Sequence, residues 1–114
     1  MDKLGRKLLL FDVYGALLTE KQQQAISLTY NDDYSLGEIA AMQGVSRQAV
    51  FDAIRRGEEL LENYDECLGL IARNSCEQEI YQELCRAEAA ADWQMVTSAR
   101  QKLADLSKDV LFNK

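Results

Sequence analysis

The stretch "SLGEIAAMQGVSRQAVFDAIRR" places two helix starts and one helix stop close together, and few folds accommodate that. Ser35, with Glu38 three residues later, has the capping-box pattern, in which each side chain satisfies an orphan amide of the new helix. Gly44 suits the left-handed position that ends a helix, because it has no Cβ to clash. Ser46 then caps the next helix at once. The product is helix, tight turn, helix. Ala40 is small where the two helices touch, and Ile39, Val45, Val50 and Ile54 supply a shared core, the layout of a helix-turn-helix. Gln43 occupies a slot that is usually apolar.

The rest of the chain agrees with an all-α fold. Proline is absent from the 114 residues, and Leu, Ala, Glu and Gln dominate, so strong helix formers run throughout. Leu8, Leu9, Val13, Ala16 and Leu17 recur at helical spacing and predict a first helix over residues 3–18. Thr19 and Gln22 repeat the capping box before a second helix ending near Tyr30, and "NDD" supplies a turn. From Val50, the positions Ile54, Gly57, Leu61, Tyr64, Leu68 and Ile71 follow in steps of four and three, the seam of a helix packed along a partner. That pattern predicts one helix from Arg47 to about Arg73. Asn74 and Ser75 interrupt it, and Ser75 with Gln78 offers a further capping box before Ile80, Leu84 and Ala87. Asp92 is placed to cap a last helix carrying Val96, Ala99, Leu103, Leu106 and Val110. The expected organisation is a helix-turn-helix domain over residues 1–73, its recognition helix running on as a long helix. Residues 74–114 then form C-terminal helices for packing and dimerisation.

Chemistry is constrained mainly by what is missing. There is no histidine, the commonest general base near neutral pH, and no glycine-rich phosphate loop. Cys67, Cys76 and Cys85 are odd in number, lack a C-x-x-C pair and read as free thiols in a reducing compartment. The expectation is a protein that is not an enzyme, with no cofactor and no metal. No run approaches the roughly 20 apolar residues that span a bilayer, and "KLLLFDVYGALL" lacks a small-residue cleavage site after it. A cytoplasmic protein without membrane insertion is expected.

With Val50 and Ile54 turned inward, the rows Arg47–Phe51–Arg55 and Gln48–Asp52–Arg56 point away from the core. That is the face a recognition helix offers to DNA: Arg47 and Gln48 on the first turn suit base edges, Arg55 and Arg56 suit phosphates. A solvated surface has the same composition. Phe51 argues against solvation alone, since an exposed ring wants a groove, a base or a protein to cover it; packing on the N-terminal helix is the other way to cover it.

Charge divides the chain. The formal net charge is -6, and all of it falls in residues 58–114, since residues 1–57 carry as many acidic as basic side chains. Glu58, Glu62 and Glu66 form an i, i+4 row with Glu59 and Asp65 beside them. The row is a solvated face, a repulsive edge toward DNA, or a dock for a basic partner. Three arginines opposed by Asp52 hold a duplex weakly, so pairing through the seam and the last helix would help, whereas intramolecular packing of the same rows is the competing use.

The residues from Leu18 to Leu70, above all "DDYSLGEIA" and "VSRQAVFDAIRR", resemble the YlxM-like (UPF0122-type) family of small bacterial helix-turn-helix proteins. That family is similar to region four of sigma factors. The resemblance implies a DNA-binding regulatory protein, with double-stranded DNA as partner and a link to the signal recognition particle pathway that rests on gene neighbourhood, while the seam and the last helix point to a homodimer. The alternative it leaves is an adaptor that binds the particle's protein or RNA and does not read DNA. Phe51 stands where the family commonly has tyrosine, and the tail beyond Ile71 matches loosely.

Overall fold

In the computed structural model, which describes residues 2–112, the chain forms α1 (Lys3–Tyr14), a 3-10 turn (Gly15–Leu17), α2 (Glu20–Tyr30), α3 (Leu36–Gln43), α4 (Arg47–Leu68), α5 (Leu70–Ala89) and α6 (Trp93–Phe112). They divide into two compact units, Met1–Gly69 and Leu70–Lys114.

In the first unit the expected caps form. Thr19 and Gln22, and Ser35 and Glu38, make full capping boxes, and the Ser46 hydroxyl accepts from the Ala49 amide at 3.1 Å. Gly44 ends α3 in the left-handed conformation, φ 67°. Helix α1 ends earlier than expected, at Tyr14, because the chain must tighten into the 3-10 turn and leave Leu18 extended ahead of the Thr19 cap. Helix α4 also stops short of Arg73. Gly69 adopts φ 63° and caps it at Leu68, a stop that the continuing 4-3 pattern concealed.

The helix-turn-helix core joins Ala25, Ile39, Ala40 and Val50, with Leu28, Leu36, Val45 and Ile54 packed around it. Leu10, Tyr14, Ile26 and Leu61 extend the core beneath α1, each contributing about 1.5–3 kcal/mol if fully buried relative to exposure. Much of the seam of α4 is consumed here. A Cβ on Gly57 would stand 2.7 Å from Ile26 Cδ1, so glycine is what lets α2 come this close. Tyr64 meets the Tyr14 ring at a centroid distance of 6.2 Å, while Leu68 stays 57% exposed.

The second unit is an antiparallel helix pair. Arg73 donates to the Leu106 carbonyl at 3.2 Å and Lys102 pairs with Glu83 at 3.0 Å, contacts that fix opposite directions. Asn74 and Ser75 do not interrupt α5, and no new helix starts at Ser75: both sit exposed on the helix's solvent face, where their polar groups stay hydrated. Asp92 does cap α6, accepting from the Met95 amide at 3.2 Å. Ile80, Ala87 and Ala99 are buried between the helices, and the side chain of Val110 lies outside the described residues. Among the described residues no helix is long and apolar enough to cross a membrane.

Candidate nucleic-acid interface

Helix geometry sets which side chains α4 offers outward. At 3.6 residues per turn, burying Val50, Gly57 and Leu61 turns Gln48, Asp52 and Arg55 to the opposite crest. Arg47 and Phe51 then fall on the shoulder toward α3, and Ala49, Ala53 and Arg56 on the shoulder toward α2. Two shallow grooves follow those shoulders. One is lined by Leu36, Arg47, Gln48 and Phe51, the other by Lys21, Gln22, Ala49, Asp52 and Arg56 among others.

The six outward residues are not equally available. Arg47 lays its stem over the first turn of α3, its Cδ 3.8 Å from where a Cβ on Gly37 would be. Gln48 Nε2 donates to Asp52 Oδ1 at 3.2 Å. Arg55 is held by Glu59 at 3.1 Å, one helical turn on, with both side chains more than half exposed. Among the described residues Arg56 and Arg47 form no salt bridge. Phe51 is 48% exposed and shares its groove with Leu36 of α3, so its ring is presented beside the crest.

Lys21 is the contributor that sequence reasoning missed. It stands in the first turn of α2, and its side chain lines the same groove as Arg56. The capping box at Thr19 fixes where that turn begins. Gln43 explains itself in the same place: its amide donates to the Lys21 carbonyl at 3.3 Å and to Gln24 Oε1 at 3.2 Å, tying the end of α3 to α2. A polar side chain in a usually apolar slot therefore serves as a strut.

Past Arg56 the acidic row has a different occupation. Arg6 of α1 donates to Glu62 at 2.9 Å and to Asp65 at 3.3 Å, and Asp65 also accepts from the buried Tyr14 hydroxyl at 2.7 Å. Glu58 pairs with Lys7 at 3.0 Å and accepts from the Tyr30 hydroxyl. The hydrogen bond from Arg6 holds the Glu62 carboxyl below the usual carboxylate range, and burial, with the bond to Glu58, pushes the Tyr30 phenol up. Glu58, Glu62 and Asp65 of the row do dock a basic partner, and that partner is the chain's own first helix. The signal was present in the sequence: Arg6 shares an i, i+4, i+8 row with the buried Leu10 and Tyr14.

Helices α2 to α4, with their doubled caps, left-handed Gly44 and outward recognition helix, define an all-α helix-turn-helix protein. Residues 1–103 match the family described as "Putative helix-turn-helix protein, YlxM / p13 like", UPF0122, and the chain belongs to that family. It is 53% identical over 87 residues to a UPF0122 protein of Halalkalibacterium halodurans, covering 76% of this chain and 80% of that one. A UPF0122 protein of Symbiobacterium thermophilum is 45% identical over 106 residues, 93% of this chain and 96% of its own. One from Geobacillus kaustophilus is 50% identical over 84 residues, 74% and 76% of the two chains. The match through residue 103 brings much of the tail beyond Ile71 inside the family, a closer fit than its sequence suggested.

Proposed function

We propose that the protein is a DNA-binding regulator that sets α4 in the major groove and contacts double-stranded DNA with Arg47, Gln48, Phe51, Asp52, Arg55 and Arg56. The observation that carries this reading is the half-exposed Phe51 beside an outward crest of hydrogen-bonding side chains, on a helix whose opposite face buries Val50, Gly57 and Leu61. The fold takes up only the shoulder of that face, where Arg47 and Phe51 lie beside α3. Lys21 joins Arg56 as a phosphate contact, adding a positive charge that helps offset Asp52.

Affinity of one copy should be low. Each neutralised phosphate contributes a slope of about 0.9 in log K against log salt, and few cations are on this face. A homodimer would place two recognition helices in successive major grooves about 34 Å apart. The α5–α6 pair supports that reading, since Tyr81 is 63% and Trp93 70% exposed, and a two-helix unit of this size buries little by itself. A role at the chromosome places the protein in the cytoplasm.

The same exposed aromatic residues favour a second reading, an adaptor for the protein or RNA of the signal recognition particle. Selection from a genomic fragment pool at low salt separates the two. DNA reading gives enrichment that Arg47→Ala reduces. An adaptor gives no enrichment, and particle subunits are instead retained from extract after nuclease treatment.

A further inference from the structure

The crest of α4 carries a carboxylate at a place where a carboxylate works against binding. Asp52 faces outward between arginines, in the same groove as Lys21 and Arg56, and would repel every phosphate those residues attract. It pairs with Gln48, whose Nε2 donates to Asp52 Oδ1 at 3.2 Å. This bond does more than join two side chains. A carboxylate only accepts, so the Gln48 amide must turn a nitrogen toward Asp52, and the identity of its two ends is thereby fixed. What remains for a ligand is one amide N–H with the amide oxygen beside it, and the second oxygen of Asp52.

Those groups have definite complements in a major groove. An amide offering one N–H and one oxygen pairs with adenine N7 and N6, and a carboxylate oxygen accepts from cytosine N4. Guanine O6 and N7 and thymine O4 are acceptors and would meet the Asp52 oxygen as like with like. We propose that Gln48 and Asp52 act as one unit that reads exocyclic amino groups, adenine through Gln48 and cytosine through Asp52, with Asp52 also positioning the Gln48 amide. The inference rests on the DNA-binding reading above and adds the bases that reading left open. Arg55, occupied by Glu59, and Arg47, laid over α3, are left to orient the helix on the backbone.

The test is selection from a duplex pool with a randomised core, run at low salt on the full chain and on Asp52→Asn and Gln48→Ala, with thermal melts alongside. The parent is expected to enrich cytosine at one position and adenine at a neighbouring one. Asp52→Asn should lose the cytosine preference by on the order of ten-fold and flatten the adenine preference, while its affinity for unselected duplex rises. Gln48→Ala should flatten adenine alone. If Asp52→Asn selects the parent's sequence and merely binds everything more tightly, Asp52 is a repulsive charge and the inference fails while DNA binding stands. If the parent enriches nothing, both fail together. Equal melts show that neither result comes from unfolding.

Discussion

Two successive stretches of α4 carry comparable densities of charge and use them differently. From Arg47 to Arg56 the crest and shoulders hold ionic and polar groups that face outward, with Arg47 lying over Gly37 of α3. From Glu58 to Asp65, Glu58, Glu62 and Asp65 are taken up by Arg6, Lys7, Tyr14 and Tyr30, side chains of α1 and α2, while Glu59 pairs with Arg55. The difference is what lies alongside, since Arg6, Lys7 and Tyr14 of α1 reach the second stretch. The acidic run that follows Arg56 on α4 is therefore in part a fastening for the N-terminal helix, with Arg6 and Lys7 paired to Glu58, Glu62 and Asp65.

The contrast breaks first along the buried face. Leu61→Ala removes a fully buried side chain beneath α1 and should cost about 2–5 kcal/mol in urea unfolding, whereas Phe51→Ala, on the outward shoulder, should cost less than about 1 kcal/mol while weakening duplex binding. Gly57→Ala forces a methyl to within 2.7 Å of Ile26, which is itself fully buried and has little room to yield, and should lose about 1–3 kcal/mol despite the better helix propensity of alanine. Tyr14→Phe deletes one hydrogen bond to Asp65, which keeps Arg6, and should cost about 1 kcal/mol.

The smallest effect is the most specific to the fastening. Because Glu62 is held below its ordinary range in the folded chain, its contribution is present above about pH 4 and disappears as pH falls through the depressed value. The melting difference between the parent and Glu62→Gln should therefore be seen at neutral pH and close on acidification. A difference that persists at low pH would assign it to packing. Salt should shrink it as well, since both partners are about half exposed.

Local signals were readable to the extent that they are local. The caps at Thr19, Ser35, Ser46 and Asp92 and the left-handed Gly44 follow from chemistry within three or four residues, and all form as the sequence implies. Gly69 was hidden because a glycine inside a 4-3 pattern reads as tolerated, and only the fold decides that it turns left-handed. Asn74 and Ser75 misled in the opposite way: polar residues resemble a break, but on the exposed face of α5 they continue it. The outward rows of α4 were legible from periodicity alone. The pairing of Gln48 with Asp52 and of Arg55 with Glu59, the presence of Lys21 beside Arg56, and the destination of the acidic row required knowing which helices meet.

The central claim is that the outward side chains of the first ten residues of α4 serve a duplex, while Val50 and Ile54 on the inner face serve the core. It is tested most directly by titrating salt against duplex affinity for the parent and Arg56→Ala, with melting curves on both. The expected result is an unchanged melting temperature and a log K–log salt slope smaller by about 0.9, one phosphate contact. A slope and affinity identical to the parent's, with the melt also unchanged, would contradict it.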